Sequence, residues 1–235
     1  MNLILLHPND FIATNKVILK GRRCTHIQQV HKGKIDTQLR VGMVDGLIGT
    51  GKIVAISTTE ITLEVELQQV PPKPLDVTLL LALPRPKMLK RILQSVTALG
   101  VKRIYLFNSY RVDKSFWQSS LLHADNLNEH FLLGLEQAVD TIMPQLFLRP
   151  RFKPFVEDEL PSITKGTISY VAHPGVAAKC PLLHQQPVTL AIGPEGGFIP
   201  YEVDKLQQCG FASVQIGERI LRVETAVSAL LSRFI

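Results

Sequence analysis

Apolar positions along the chain change their rhythm about a third of the way through. Before residue 70 they come as short runs separated by glycine and polar residues. The segments 17–19, 38–41, 46–48, 52–56 and 61–67 predict strands, the last with apolar residues at alternate positions, because successive side chains of a strand face opposite sides. A short helix is expected around 25–30. Several short strands with turn signals between them suggest a small β-barrel. Val70-Pro71-Pro72-Lys73-Pro74 then reads as a linker, since proline lacks an amide donor and keeps the chain extended. Beyond it, strands are predicted at 77–83, 103–107, 146–148, 167–172, 188–192 and 213–216, and helices at 86–99, 126–139, 201–209 and 225–234. Strands alternating with helices imply a parallel α/β sheet. The expected division is therefore 1–72 and 73–235.

At 46% hydrophobic residues, the chain can build a sizeable core. Its longest apolar runs, 77–83 and 188–192, are far shorter than the roughly 20 residues that span a bilayer. Residues 1–6 are apolar but lack a basic start and meet Pro8 and Asp10, which argues against a signal peptide. No membrane partner and a cytoplasmic location are expected. Cys24, Cys180 and Cys209 are odd in number and form no CxxC pair, so they read as buried reduced thiols. The seven histidines show no metal-ligand spacing, and no metal is expected.

Charge is distributed unevenly. Of the net +6, residues 73–115 carry +7 and residues 116–235 carry −3. A basic middle segment suits a polyanion, because each phosphate contact by Lys or Arg releases counterions; a solvated face without a partner is the plainer reading.

Two late loops hold the candidate chemistry. Ile192-Gly193-Pro194-Glu195-Gly196-Gly197-Phe198 follows one apolar run, and Ile216-Gly217-Glu218-Arg219-Ile220-Leu221-Arg222-Val223-Glu224-Thr225-Ala226 follows the next. Each falls where a buried strand should end, and each combines glycine, which lets backbone approach a ligand, with fixed charges. The usual GxGxG turn of Rossmann-type nucleotide sites is absent after the strand at 77–83, where Leu83-Pro84-Arg85-Pro86-Lys87 stands instead.

These loops, in this order near the chain end, resemble the RsmE family of ribosomal RNA methyltransferases within the SPOUT superfamily. The resemblance extends upstream through Leu81 to Lys87, Leu99-Gly100-Val101-Lys102-Arg103-Ile104, Gly134-Leu135-Glu136-Gln137-Ala138 and, more loosely, Val41 to Gly46. It implies a PUA-like RNA-binding β-barrel followed by a SPOUT α/β domain with a C-terminal trefoil knot, usually assembled as a homodimer. The apolar face of the helix at 225–234 also needs cover, from a second subunit or, on the plainer reading, from within the chain. The implied reaction is methyl transfer from S-adenosylmethionine to N3 of a uridine in small-subunit ribosomal RNA. Sister families with a similar turn methylate a ribose 2′-hydroxyl instead, and a non-catalytic RNA-binding protein is a third reading.

By the same resemblance the cofactor would lie bent among three loops, contacted by Ala172, His173, Gly193, Gly196, Gly197, Ile216, Gly217, Ile220, Leu221 and Thr225. Arg222 is the candidate stabiliser of the uracil anion, and Glu195 the candidate proton acceptor or holder of its loop. Thr225 also reads as a helix N-cap, and Arg222 with Glu224 as an ordinary surface pair. Phosphate contacts are expected from Arg22, Arg23 and Lys32 in the first part. In the basic segment they are expected from Arg85, Lys87, Lys90, Arg91, Lys102, Arg103, Arg111 and Lys114. Two departures from the family pattern stand out. The family's His-x-x-x-Val-Leu-Arg is here His26-Ile27-Gln28-Gln29-Val30-His31-Lys32, and its Glu-Gln-x-x-Arg is Glu136-Gln137-Ala138-Val139-Asp140.

Overall fold

The computed structural model describes residues 2–30, 32–182 and 186–235; His31 of the family-like motif lies outside them. The chain forms two compact units. One comprises the residues up to Lys73 together with Leu132–Met143, and the other comprises Pro74–Phe131 and Pro144–Ile235.

The first unit holds a six-stranded sheet in the order β1-β4-β5-β6-β3-β2. Its strands are β1 (Ile4–Leu6), β2 (Phe11–Ala13), β3 (Lys16–Lys20), β4 (Gln38–Met43), β5 (Ile48–Ile56) and β6 (Glu60–Gln69). All neighbours are antiparallel except β1 and β4, and among the described residues no ladder joins β1 to β2. Helix α1 (Gly21–Gln29) closes one end of its core, contributing Cys24 and Ile27 beside Val17, Leu19, Ile53, Ile61 and Leu63. The helix begins four residues before its expected start.

The first unit departs from the expected strands in two places. The apolar start of the chain is a strand with both faces covered. Ile4 and Leu6 join the main core, while Leu3 and Leu5 pack with Leu135 of α3 (Ala124–Ala138). A strand buried on both sides shows a continuous apolar run, not alternation. The segments 46–48 and 52–56 are not separate strands either, because β5 runs through its glycines. A Cβ on Gly49 would lie 1.8 Å from the Glu66 carbonyl oxygen. Glycine there permits close approach of β6 at a bulge and does not break the strand.

The second unit is an all-parallel sheet in the order β12-β10-β11-β7-β8-β9. It contains β7 (Leu75–Ala82), β8 (Val101–Phe107), β9 (Gln145–Arg149), β10 (Ile168–Ala172), β11 (Val188–Ile192) and β12 (Ala212–Val214). Its helices include α2 (Pro86–Ala98), α4 (Phe152–Pro154), α5 (Leu160–Ile163), α6 (Pro200–Gln208) and α7 (Val223–Leu231). The helical stretch that runs from α4 through a π-helical turn to α5 had no counterpart in the sequence reading. Its Phe155 packs against Tyr105 and Phe107 of β8, which explains why it is held. Strand β11 is buried at all five positions, as befits a strand covered on both faces.

Helix α7 places Val223, Val227, Leu230 and Leu231 in the interior of its own unit, where it packs against α2. Of the two covers the sequence allows for this face, the chain itself supplies one: α2 packs against it. Among the described residues no helix is long and apolar enough to cross a membrane.

Candidate active site

Parallel strands leave their carboxyl ends on one edge, and a ligand crevice opens where strand order reverses. Here the edge beyond β7, β10, β11 and β12 encloses a cavity of about 880 Å³. Three loops build it. The first, after β10, contributes Ala172, His173 and Pro174; the second, after β11, contributes Gly193 to Phe198. The third, after β12, contributes Gln215 to Gly217 and Arg219 to Glu224. Arg85, Lys87 and Met88, at the start of α2, complete the wall.

The glycines do not share one reason for being glycine. Gly197 has φ +73°, a left-handed conformation that other residues resist. A Cβ on Gly193 would press on Phe198 at 3.2 Å, and one on Gly196 would press on the Arg111 side chain at 2.9 Å. Gly217 is different. A Cβ there would meet nothing within 4 Å, and its φ lies outside the left-handed range. Neither crowding nor strain demands glycine at 217, so its missing side chain leaves room in the cavity wall.

Long-range hydrogen bonds fix the second loop. The Arg85 amide donates to Glu195 Oε1 at 3.1 Å, and Arg111 Nη1 donates to the Gly196 carbonyl. Glu202, on the first turn of α6 and only 2% exposed, was not singled out from sequence. Its carboxylate accepts from the Tyr110 amide at 2.7 Å, the Ile199 amide at 3.0 Å and the Ser109 hydroxyl at 3.2 Å. Pro200 at the first helical position followed by Glu202 at the third is the one local signal that could have flagged it.

All the expected cofactor residues line the cavity except Thr225. Thr225 is not an N-cap: α7 starts at Val223 with Arg222 in the capping position, which puts Thr225 third in the helix and exposed. Arg222 and Glu224 both line the cavity, and among the described residues they form no ion pair with each other. Of the basic candidates, Arg85 and Lys87 reach the wall, while Lys90, Arg91 and Lys114 are exposed beyond it. Lys102 and Arg103 lie on β8, and Lys32 is an exposed residue of the first unit.

Arg22 and Arg23, expected as phosphate contacts, each form an ion pair within the first unit. Arg23 is 18% exposed at its side chain, pairs with Asp10 through a second contact of 2.7 Å, and donates to the Leu5 carbonyl. Arg22 grips the buried Glu136 carboxylate with both terminal nitrogens, at 2.7 and 3.0 Å. Both guanidiniums are engaged in ion pairs inside the first unit, and the Arg22 side chain keeps 49% of its surface exposed. Asp140, at the inverted position of the family pattern, is 4% exposed and accepts from the Ile142 amide at 3.0 Å. It shapes a buried turn and is not a surface contact.

Cys24 and Cys180 are buried and Cys209 is partly so; burial pushes all three thiols above their ordinary pKa, which keeps them protonated and unreactive. Among the described residues no group of three or more His, Cys, Asp or Glu could hold a metal ion.

Residues 71–235 match the family described as RNA methyltransferase domain. A ribosomal RNA small subunit methyltransferase E of Treponema pallidum is 27% identical, the alignment covering 97% of this chain and 88% of that protein. A second relative, ribosomal RNA small subunit methyltransferase E 1 of Borreliella burgdorferi, is 22% identical over 97% of this chain and 95% of its own length. Among solved structures, the ribosomal RNA small subunit methyltransferase E of Neisseria gonorrhoeae, bound to S-adenosyl methionine, superposes with a TM-score of 0.77. It is 19% identical, with 98% of this chain and 95% of that one covered, and the likeness concerns the fold.

Proposed function

Because the chain belongs to the RNA methyltransferase family, we propose that it transfers a methyl group from S-adenosylmethionine to N3 of a uridine in small-subunit ribosomal RNA. The observation that carries this reading is the single cavity into which the three loops converge at the carboxyl edge of the parallel sheet. Its volume of about 880 Å³ falls within the usual range for small-molecule sites. The open space at Gly217 and the apolar Ile216 and Leu221 suit a nucleoside, and main-chain groups around Gly193 and Gly217 can read its edge. Those residues, with Ala172, His173, Gly196, Gly197 and Ile220, would hold S-adenosylmethionine, whose sulfonium supplies an electrophilic methyl group.

The chain's own contribution is positioning and charge. Uracil N3 must give up its proton, to Glu195 or to solvent, before or during attack by its lone pair; an imidate develops as it does so, and S-adenosylhomocysteine is the other product. Arg222 offers a rigid, positively charged fork of donors, so it stabilises that anion without acting as base. Holding base and methyl in line can contribute about 7–11 kcal/mol. Glu195 keeps the turn in place through Arg85. Arg85, Lys87, Lys90, Arg91, Arg111 and Lys114 would contact phosphates, and Lys32 would do so from the first unit.

The wider reading follows the same resemblance. The core shared by β1 and β3 to β6 supports a PUA-like barrel, and the order β12-β10-β11-β7 supports a SPOUT trefoil knot. The homodimer is implied by that resemblance, and its partner would cover Ile220, 83% exposed at the cavity rim; a cytoplasmic location fits a ribosomal RNA substrate.

The test is methyl transfer from labelled S-adenosylmethionine to small-subunit RNA, free and assembled, with the product mapped by mass spectrometry. A methyl group on a uracil base, lost by about 10²–10³-fold in kcat in Arg222→Ala, is the expected result. A methyl group on ribose would replace N3 by a 2′-oxygen as the target. No transfer, together with no calorimetric heat on adding S-adenosylmethionine, would leave only RNA binding.

A further inference from the structure

Between β8 and the short helical turn that starts at Lys114, the chain makes a tight corner whose ends and tip are treated oppositely. The Val112 amide donates to the Ser109 carbonyl at 3.0 Å, and both residues are buried, at 7% and 1% exposure. The two residues between them point away from the core: Arg111 is exposed and Tyr110 is 78% exposed.

An exposed tyrosine usually needs no explanation, because single apolar residues are common on surfaces. What sets Tyr110 apart is the machinery beneath it. Its amide donates to the buried Glu202 carboxylate at 2.7 Å, and the same carboxylate takes the Ser109 hydroxyl. Two residues before Tyr110, Asn108 Oδ1 accepts from Trp117 Nε1 at 2.9 Å. One residue after Tyr110, Arg111 donates to the Gly196 carbonyl in the loop that lines the cavity. Tyr201, the other exposed tyrosine, has a cation over its ring, Lys205 at 5.9 Å. No such partner covers Tyr110 among the described residues.

The ring is thus carried on a backbone fixed from three sides, beside Arg111 and Lys114 and one residue from a direct contact with the cavity loop. A rigid, amphipathic ring costs little conformational entropy to use, and every nucleobase offers a face to it. Sequence-tolerant stacking of splayed-out bases on aromatic side chains is how proteins hold single-stranded RNA.

We propose that Tyr110 stacks on a nucleobase of the RNA strand next to the base being methylated, and so helps to select and hold the substrate. The inference rests on the methyltransferase reading above and adds a residue to it.

The test compares Tyr110→Ala, Tyr110→Leu and Tyr110→Phe with the unaltered protein, reading RNA Kd, RNA KM, kcat at saturating RNA, S-adenosylmethionine affinity and sedimentation. Alanine and leucine should raise RNA Kd and KM by about tenfold, phenylalanine should stay within about twofold, and cofactor affinity should not move. RNA affinity unchanged in Tyr110→Ala would overturn the proposal. So would a shift in subunit association without a change in RNA affinity, which would make the ring a protein contact. If the unaltered protein bound RNA but transferred no methyl group, the reaction would fall while the Kd comparison still decided the stacking.

Discussion

Glu195 Oε1 accepts a hydrogen bond from the backbone amide of Arg85 at 3.1 Å, joining two loops 110 residues apart. Arg85 is the N-cap of α2, where unsatisfied amides and the helix dipole favour a negative charge. The first turn of α2 has no acidic residue of its own, and it carries Lys87. Glu195 supplies that charge from the cavity loop, which makes holding, not proton transfer, its first role. Glu195→Gln keeps an acceptor for the Arg85 amide and should retain activity within about threefold. Glu195→Ala should weaken S-adenosylmethionine binding several-fold. A glutamine variant that bound cofactor normally but lost turnover by a hundredfold would make the carboxylate the proton acceptor instead.

Gly217 allows the cavity to be probed without disturbing the fold. Alanine there meets no atom within 4 Å and requires no unfavourable φ, so Tm should stay within about 1–2 °C. Cofactor affinity, read by calorimetry, should fall by about tenfold as the new methyl group fills the open space. Gly197→Ala is the contrast, because its φ of +73° strains any side chain and stability should drop by about 1 kcal/mol. Equal cofactor affinity in Gly217→Ala and the unaltered protein would place the ligand elsewhere.

The loops that line the cavity were legible because glycine and charge recur there after buried runs, and strand ends can be placed from apolar length. What escaped the sequence depends on contacts between distant residues. Strand β1 hides its alternation because Leu3 and Leu5 are covered by α3 while Ile4 and Leu6 enter the sheet core. Glu202 looks like any first-turn acid until Ser109 and Tyr110, more than 90 residues away, arrive to bond it. Arg22 and Arg23 look like unpaired cations for the same reason: their partners, Glu136 and Asp10, are identified only by folding. The apolar face of α7 was read correctly as a face to be buried, but its cover, α2, comes from 125 or more residues earlier in the same chain.

The Arg22 pair makes a direct prediction about stability. Glu136 is 2% exposed, and Arg22 supplies two charge-assisted hydrogen bonds to it. Arg22→Ala would leave a buried carboxylate short of its cation, at a cost of about 2–3 kcal/mol. For a chain of this size that is a fall in Tm of roughly 5–10 °C. Lysine restores the charge without the two-pronged geometry and should fall between. A normal melting temperature with weakened RNA binding would return Arg22 to the phosphate-contacting set.

His130 should make the stability of the second unit depend on pH. Its Nδ1 lies 3.2 Å from Gln94 Nε2; burial first, and then the charge of Lys90, hold its pKa below the ordinary 6.5, with Glu129 opposing. In the unfolded chain the imidazole takes up a proton as pH falls through 6.5, whereas the folded protein resists until a lower pH. The unfolded state therefore binds more protons across that window, and the free energy of unfolding decreases as pH falls through it. Above 6.5 both states are neutral and the contribution is constant. Carboxylates also titrate toward the acid side, so the measurement is a difference: Tm against pH for the unaltered protein minus that for His130→Gln, which retains a polar partner for Gln94. The difference should be flat above pH 6.5 and should shift against the histidine protein below it. A difference that stayed flat down to pH 5 would mean that the ring protonates equally in both states, and that burial beside α2 does not hold it neutral.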